Sequence, residues 1–291
     1  MPLSKDFNSR LTPLLGDIVN HFKTPFHIYD EKGIRETGEA LQRAFAGVHG
    51  FREYFAVKAL PNPAILKIMQ DLGFGFDCSS IAELIQSRAI GAAPDDIMFT
   101  SNNTSPADFQ EAFAKGGCIV NLDDISLIEK MPAMPELICF RYNPGPAVGG
   151  NAIIGKPAEA KYGISHAQVI DAYRKVRDLG AKRFGLHTMI VSNELNYRYK
   201  VKTTRMLLEI VEMVQAELDI RFEFINFGGG LGIPYRPEDA PLDLDALAAE
   251  VRALLEDFHA RHGYVPAFFM ESGRYMTGPH GALVTTAINH K

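Results

Sequence analysis

The sequence is poor in cysteine and carries no excess of basic residues, and each shortage excludes a class of protein. The three cysteines, Cys78, Cys118 and Cys139, are widely spaced, and each lies in an apolar run. This distribution is typical of reduced core thiols, and it argues against a disulfide framework or a zinc site. We therefore predict no bound metal. The formal net charge is -5 without a basic cluster, so we expect no nucleic-acid partner.

Long apolar runs are missing as well. No run approaches the roughly 20 residues that cross a bilayer, so we expect no membrane-spanning segment. The first residues, Met1-Pro2-Leu3-Ser4-Lys5-Asp6, lack the basic and then apolar pattern of a secretory signal, and we expect a cytoplasmic protein. The chain has 46% hydrophobic and 22% charged residues over 291 positions. These totals suit one α/β barrel of roughly 250 residues.

Apolar runs of strand length recur along the chain and alternate with segments of helical periodicity. The predicted strands are Tyr54–Val57, Gly75–Cys78, Ile97–Thr100, Cys118–Leu122, Leu137–Tyr142, Phe184–Met189, Phe222–Phe227 and Ala267–Met270. The helical segments include Ile65–Leu72, Ile81–Ala89, His166–Leu179, Thr203–Leu218 and Leu244–His262. Eight strand-then-helix units predict an α/β fold, a parallel sheet closed into a (β/α)8 TIM barrel. An open doubly wound sheet is the alternative, because counting units does not show closure.

Polar residues stand at the ends of these strands, where a barrel carries its active site. Lys58 reads as the last residue of the first strand, and a cation there is costly to desolvate unless it has a partner or a task. The alternative is a lysine whose ammonium reaches solvent at the rim. The strand-end residues are Lys58, Asp77, Asn102, Asn103, Asp123, Arg141, His187, Gly228, Gly229, Gly230, Glu271 and Arg274. Their convergence predicts a catalytic site.

Two of these strand ends carry motifs that suit an anionic, ring-containing ligand. Gly228-Gly229-Gly230-Leu231-Gly232 follows the seventh strand, where barrels often bind phosphate through backbone N–H groups. The alternative reading is a plain turn. In Glu271-Ser272-Gly273-Arg274, the arginine can pair with phosphate and the glutamate can hold a proton on a ring nitrogen. The alternative there is a salt bridge at the rim. The glycine spacing fits neither a Walker-type loop nor a dinucleotide fingerprint.

One cofactor uses this combination of groups. Pyridoxal 5′-phosphate needs a lysine that attaches to its aldehyde, a phosphate site and a partner for its ring nitrogen. His187 taken alone is more often a core histidine. Within this set we predict that its flat ring lies over the face of the pyridine ring.

Several motifs together resemble one family. Tyr54-Phe55-Ala56-Val57-Lys58-Ala59 is similar to a Tyr-Ala-Val-Lys-Ala/Cys motif, and the stretch from Phe76 to Leu84 is similar to Phe-Asp-Cys-Ala-Ser…Glu-Leu. Arg141, the glycine run and Glu271-x-Gly273-Arg274 match further motifs. On these residues, from about Thr24 to the end, the chain resembles the fold-type III pyridoxal-phosphate decarboxylases, which include the diaminopimelate and ornithine decarboxylases.

The resemblance implies an alanine racemase-like barrel that binds pyridoxal phosphate. It implies catalytic roles for Lys58, which holds the cofactor covalently, for Glu271 at the ring nitrogen and for His187 stacked on the ring. The cofactor-binding residues that it implies are Lys58, Asp77, Arg141, His187, Ser192, Gly228, Gly229, Gly230, Glu271, Gly273 and Arg274. Ser192 stands two residues further from the histidine than the serine of the family's His-x-Gly-Ser, and Ser272 replaces the proline of Glu-Pro-Gly-Arg.

The family also carries a C-terminal β-domain, which completes the active site partly across a homodimer interface. By this resemblance we expect residues 1–29 to form an N-terminal segment and a strand, Phe26–Tyr29, that would join the β-domain. Residues 30–281 would form the barrel, and residues 282–291 would begin a truncated β-domain. We expect Leu283–Ile288 to be an unpaired apolar edge and the chain to be a fragment or truncated product, with the full-length enzyme a homodimer.

The resemblance also suggests a substrate. Ser101-Asn102-Asn103-Thr104-Ser105 is similar to Gly-Asn-Asn-Lys-Ser of diaminopimelate decarboxylases, and the segment from Gly149 to Ile164 is similar to their loop ending in Lys-Phe-Gly-Ile. These matches favour decarboxylation of the small-molecule amino acid meso-diaminopimelate to L-lysine. The alternatives are carboxynorspermidine or ornithine as substrate, amino-acid racemisation, and a non-catalytic protein that binds the cofactor.

Overall fold

Eight parallel strands close into a barrel. The structure, a computed structural model, describes residues 3–147, 149, 153, 156–160 and 162–290. The barrel strands are β2 (Arg52–Ala56), β3 (Gly75–Cys78), β4 (Ile97–Ser101), β5 (Ile119–Leu122), β6 (Leu137–Tyr142), β7 (Arg183–Thr188), β8 (Phe224–Asn226) and β9 (Ala267–Met270). Each strand pairs with the next, and β9 pairs with β2 through Arg52–Phe269 and Glu53–Met270. The predicted barrel is confirmed, and the open sheet is excluded.

Helices surround the barrel and connect its strands. They are α1 (Phe7–Leu11), α2 (Leu15–Phe22), α3 (Glu31–Phe45), α4 (Pro63–Asp71), α5 (Ile81–Ala89), α6 (Pro106–Phe113), α7 (Val169–Asp178), α8 (Tyr197–Leu218), α9 (Leu244–His262) and α10 (Arg274–Thr277). Short 3-10 turns cover Thr12–Leu14, Val57–Ala59, Pro94–Asp96, Ile125–Lys130, Gly145–Ala147, Pro157–Glu159, His166–Gln168 and Gly278–His280. Every helix in the described ranges is too short or too polar to cross a membrane.

Local sequence sets several helix starts. The Asn62 side chain accepts a hydrogen bond from the Ala64 N–H, and Pro63 occupies the first turn of α4, where its missing N–H costs nothing. Ser105 and Asp108 form a reciprocal capping box at α6. These caps end the loops that follow β2 and β4, so they fix where the residues at those strand ends can lie.

The core has two parts. Inside the barrel, alternate strand residues fill the lumen: Tyr54, Met98, Ile119, Cys139 and Phe224. The outward strand residues pack with the helices in a larger cluster, in which Phe140, Tyr173 and Phe258 are fully buried. Because successive strand residues face opposite sides, the last inward residue of each strand points to the mouth of the barrel.

Three details of the sequence prediction are wrong. Lys58 is not the last strand residue, since pairing of β2 with β3 ends at Ala56 and Lys58 lies in the Val57–Ala59 turn. The chain leaves the sheet there because Pro61 and Pro63 cannot donate to a ladder. No α-helix joins β5 to β6 in this described stretch, where the 3-10 segment Ile125–Lys130 makes the connection before Pro132.

The third correction concerns the predicted unpaired edge. The strand is β10 (Gly281–Val284), and it pairs antiparallel with β1 (Phe26–Tyr29), with Leu283 opposite His27. Residues 285–290 form no strand. The predicted domain boundaries at residues 29 and 281 stay a prediction.

Candidate active site

A cavity of about 230 Å³ opens at the carboxyl ends of the barrel strands. Ten of the predicted site residues line it: Lys58, Asp77, Arg141, His187, Ser192, Gly229, Gly230, Glu271, Gly273 and Arg274. Gly228 stands one residue before the lining glycines. The structure therefore brings together residues that are up to 216 positions apart, the separation of Lys58 and Arg274 (274 − 58).

Lys58 and Asp77 form an ion pair at the cavity wall. The Lys58 Nζ donates to Asp77 Oδ2 at 3.3 Å and to Ser79 Oγ at 3.2 Å. The Asp77 carboxylate raises the pKa of Lys58, which is therefore an ammonium at neutral pH. Burial, together with the charge of Glu271, raises the pKa of Asp77 to about 6 against the opposing effects of Lys58 and His187.

Glu271, His187 and Asn226 form a second, buried network at the cavity. The His187 Nε2 lies 3.1 Å from Glu271 Oε2, and the Asn226 Nδ2 donates to Glu271 Oε1 at 2.8 Å. Burial alone would raise the pKa of Glu271, but His187, Lys58 and Asn226 together hold it below its ordinary value. Glu271 is thus a buried carboxylate that stays ionised, the state that favours a proton on a neighbouring ring nitrogen.

The glycine run adopts a conformation that other residues cannot follow. Gly228 and Gly230 have φ of +71° and +98°. A Cβ at Gly229 would lie 2.3 Å from the Glu271 carbonyl oxygen, and one at Gly230 would lie 2.2 Å from the Val191 oxygen. The backbone N–H groups of Gly229 and Gly230 make no hydrogen bond to the described part of the chain. These two donors at the cavity are therefore available to an anion.

Replacing Gly229 with alanine should lower the affinity for pyridoxal phosphate by about tenfold to a hundredfold, because the clash with the Glu271 oxygen displaces the loop and its donors. Spectroscopic titration with the cofactor measures this. Gly16→Ala is the matched control, since a Cβ at this position on α2 meets nothing within 4 Å. Equal affinities of the Gly229 and Gly16 variants would contradict the predicted anion site.

Two arginines reach the cavity, and both are held by neighbours. Arg141 pairs with the buried Asp123 and stacks over the Tyr162 ring at 4.7 Å. Arg274 donates through Nη1 to the Tyr235 hydroxyl at 2.8 Å. Their side chains are thereby oriented before any ligand arrives, and they give the cavity a cationic rim.

Ser192 also lines the cavity, beside the glycine run. The segment after it is tied to the run, because Glu194 N–H donates to the Gly230 oxygen at 2.8 Å and Asn193 exchanges hydrogen bonds with Ile233. Asn193 has a φ of +54°, a left-handed conformation that asparagine tolerates well. The role of Ser192 at a phosphate stays a prediction, but its position suits it.

Four residues of the site went unpredicted: Asn226, Ser79, Thr100 and Glu53. Asn226 ends β8 and joins two predicted groups, because its Oδ1 accepts from the Gly228 N–H at 2.8 Å while its amide donates to Glu271. Its place at a strand end was a signal that could have identified it. Ser79 and Thr100 also stand at strand ends and line the cavity.

Glu53 is a buried carboxyl behind the site. Its Oε1 accepts from the Ser272 N–H at 2.5 Å, and its Oε2 has no partner among the described residues. Ser272 supplies an N–H that the proline of the related motif lacks, so the two residues form a matched pair. Burial raises the pKa of Glu53 well above its ordinary value, and the hydrogen bonds of Ser272 oppose this only in part. Burial therefore favours the protonated, neutral form of Glu53 in the folded protein.

Glu53→Gln should therefore stabilise the protein increasingly as pH rises. Above about pH 4.3 the unfolded chain loses the Glu53 proton while the folded chain keeps it, so the wild type loses about 1.4 kcal/mol of stability per pH unit until its folded pKa is reached. Glutamine has no proton to lose. Denaturant unfolding at several pH values measures the difference.

Glu53→Ala is the control for the pair, because it leaves the Ser272 N–H without an acceptor. It should be less stable than Glu53→Gln by about 1–3 kcal/mol at every pH, since neither variant can titrate at this position. A stability difference between Glu53→Gln and wild type that does not change with pH would show that Glu53 is ionised when folded.

The polar groups that line the cavity fit pyridoxal phosphate. Two polar atoms that belong to cavity-lining residues, Asp77 Oδ1 and His187 Nδ1, are buried and have no hydrogen-bond partner in the part of the chain that the structure describes. Such atoms are costly unless a ligand satisfies them. Together with an exposed lysine amine and the open N–H groups of the glycine run, they match the donor set of that cofactor.

Comparison with known proteins agrees with the geometry. Residues 31–278 match the family described as pyridoxal-dependent decarboxylase, pyridoxal binding domain. Protein TabA of Pseudomonas amygdali pv. tabaci is 44% identical over 289 residues, which cover 99% of this chain and 68% of that protein. The diaminopimelate decarboxylase of Methanothermobacter thermautotrophicus is 34% identical over 275 residues, 92% of this chain and 64% of the relative.

A solved structure shares the fold. The diaminopimelate decarboxylase from M. jannaschii in complex with L-lysine superposes with a TM-score of 0.83 at 22% identity, covering 92% of this chain and 64% of that one. The chain thus spans roughly two thirds of the length of these relatives. The predicted family and cofactor are confirmed: the chain belongs to the pyridoxal-dependent decarboxylases, whose cofactor is pyridoxal phosphate, and residues 31–278 are its pyridoxal-binding domain.

Proposed function

We propose that this chain decarboxylates an amino acid with pyridoxal phosphate, and that the substrate is meso-diaminopimelate. The observation that carries the proposal is the single cavity in which an exposed lysine, an ionised buried glutamate and a glycine cradle face one another. A protein that only bound the cofactor would need the anion-binding glycine run, but it would not need a buried, ionised carboxylate beside a histidine.

The bound cofactor supplies an electron sink for the electron pair that remains when the substrate carboxylate leaves as CO2. Lys58 is the residue whose amine would hold the cofactor covalently. Asp77, 3.3 Å from its Nζ, balances the lysine charge and can take part in its proton exchange. Glu271 holds a proton at the ring nitrogen, and the buried His187 limits the tilt of the ring.

The glycine N–H groups and the cationic residues of the cavity would bind the anionic groups of the cofactor and the substrate. Gly229 and Gly230 present N–H groups to the phosphate, and we assign Ser192 and Arg274 to the same end of the cofactor. Arg141, fixed by Asp123 and Tyr162, adds a further positive charge to the cavity lining. A site with several fixed cations suits a substrate that carries more than one carboxylate.

The substrate choice rests on two supports. Asn102 and Asn103 follow β4 in the segment that resembles the diaminopimelate decarboxylases, and a relative of that name is 34% identical. The predicted loop from Gly149 to Ile164 is described only in part, because residues 150–152, 154, 155 and 161 lie outside the described residues. The proposal therefore depends on the segment after β4 and on the relatives.

The test is CO2 release from meso-diaminopimelate by the purified 291-residue chain loaded with pyridoxal phosphate. Ornithine and carboxynorspermidine are run in parallel, and the stereochemistry of unreacted substrate reports racemisation. We expect release from meso-diaminopimelate that vanishes in Lys58→Ala. Faster release from another substrate would overturn the substrate assignment. Cofactor binding at Lys58 without release from any substrate would overturn the decarboxylase function.

A further inference from the structure

Lys200 is a buried cation without an ionic partner. It lies on α8, its residue is 1% exposed, and its ammonium forms no ion pair with any carboxylate of the described chain. Burying an ammonium group is costly unless hydrogen bonds and a compensating charge accompany it. The charges of Glu271 and Glu194 favour the ammonium form, but neither carboxylate forms an ion pair with it. The ammonium therefore has no directly paired anion among the described residues.

The hydrogen bonds of Lys200 lead to the glycine run. Its Nζ donates to the Phe227 carbonyl oxygen at 3.3 Å and, by a shorter bond, to the Gly229 carbonyl oxygen. The Nζ also stands 4.5 Å from the centroid of the Phe227 ring. All three contacts are with the short segment that joins β8 to the cavity. Lys200 thus holds this segment from the side that faces away from the cavity.

Peptide geometry connects these bonds to the anion site. In a trans peptide the C=O and the following N–H point in opposite directions. Because the Gly229 carbonyl points at Lys200, the N–H of Gly230 points away from Lys200. Gly230 lines the cavity, and its N–H has no acceptor among the residues that the structure describes. Lys200 therefore fixes the orientation of the Gly230 N–H without contacting the cavity.

We propose that Lys200 is a positioning residue of the phosphate site, a buried cation that turns the Gly230 N–H toward the cavity and whose charge is balanced by the phosphate group of the bound ligand. The proposal rests on the assignment of the cofactor's phosphate to the glycine run. Lys200 does not line the cavity, so it acts on the ligand through the backbone and through its charge.

The charge of Lys200 responds to what binds. Burial lowers its pKa to about 7, against the opposing charges of Glu271, which follows β9, and of Glu194, which precedes α8. An anion placed at the glycine run favours the ammonium form. By linkage, the affinity for a dianion should fall as pH rises through about 7, because the amine then loses its proton.

The experiment compares ligands with and without the anionic group. Pyridoxal phosphate, pyridoxal and sulfate are titrated into the wild type, Lys200→Met and Lys200→Gln, with sulfate measured by competition. Sulfate is chosen because its own charge does not change near neutral pH. Lys202→Met is the matched control, since Lys202 is an exposed lysine on the same helix. Glutamine can still donate to the two carbonyls but carries no charge.

We expect Lys200→Met to weaken pyridoxal phosphate and sulfate by about tenfold to a hundredfold and to leave pyridoxal within about twofold. Sulfate affinity in the wild type should fall between about pH 6 and pH 8 more steeply than in Lys200→Gln. Titration of Asp77 is common to both proteins and cancels in that comparison. Lys202→Met should match the wild type throughout.

Two results would overturn the proposal. Equal weakening of pyridoxal phosphate and pyridoxal would mean that Lys200 supports the fold as a whole. Sulfate affinity with the same pH dependence in the wild type and Lys200→Gln would mean that its charge is not used. If Lys200→Met does not fold, the glutamine variant carries both tests. None of these readouts needs turnover, so they can succeed or fail independently of the decarboxylase proposal. Pyridoxal that does not react at Lys58 would instead refute the proposed cofactor site.

Discussion

Replacing Lys58 with alanine should abolish the Lys58-dependent absorbance of the cofactor and lower turnover on the order of a thousandfold or more, since it removes both the covalent attachment point and a proton-transferring amine. Lys58 suits this role because its side chain is 60% exposed at an open cavity, while its amine is paired with Asp77, whose side chain is only 2% exposed. A lysine that only stabilised the fold would not need to place its amine at that cavity. Absorbance titration and CO2 release measure the two losses.

Two variants separate chemistry from charge. Lys58→Arg keeps a cation beside Asp77 but cannot attach to the cofactor, so it should be as inactive as Lys58→Ala. Lys67→Ala removes a lysine of matching exposure, 59%, on the helix that follows, and it should be fully active. Activity of the arginine variant within about tenfold of the wild type would show that Lys58 contributes only charge.

Replacing Glu271 with alanine should lower turnover by about a hundredfold to a thousandfold and reduce cofactor loading far less. The proposed role of its carboxylate is to keep the ring nitrogen protonated, which matters to the reaction barrier more than to binding. The lowered pKa of Glu271, which His187 and Asn226 bring about against burial, leaves this carboxylate ionised at neutral pH. CO2 release and bound cofactor are measured on the same samples.

Glu271→Gln tests whether shape or charge is used. Its side-chain oxygen can still accept from Asn226, so the loop should keep its geometry, yet it cannot hold a proton on the ring nitrogen. We expect it to be as slow as Glu271→Ala with near-normal loading. Parallel losses of turnover and loading in both variants would contradict the assigned role and make Glu271 a binding residue.

The barrel could be predicted from the sequence because its signal is local. Each buried strand is a short apolar run, and strands such as Gly75–Cys78 and Leu137–Tyr142 begin and end where predicted. Closure was predicted from the number of strand-helix units alone, because the pairing of Arg52 with Phe269 that closes the barrel joins distant segments and leaves no local signal. The turn at Lys58 was missed because a 3-10 turn continues the apolar pattern of the strand through the buried Val57.

The site residues at strand ends could be predicted from the sequence. The buried residues that support them without lining the cavity could not. Lys200 and Lys202 both lie in the polar first half of α8, and nothing in their sequence surroundings shows that only Lys200 is buried. Glu53 is the second residue of β2, near a strand start where a charged residue is usually exposed, and its burial is accompanied by a hydrogen bond from Ser272, two residues beyond the end of β9. Both depend on contacts between distant segments, which periodicity does not report.

Asn226 gives the site a fixed length. Its one planar amide bonds Glu271 on one side and the Gly228 N–H on the other, each at 2.8 Å. On the proposed assignment, Glu271 holds the ring nitrogen of the ligand, and Gly229 and Gly230, which follow Gly228, hold its phosphate. A flat, rigid group between them cannot stretch, so the two ends cannot adjust independently. The site should therefore select ligands by span, and a cofactor analogue with one extra methylene in its phosphate arm would satisfy one end only by losing the other.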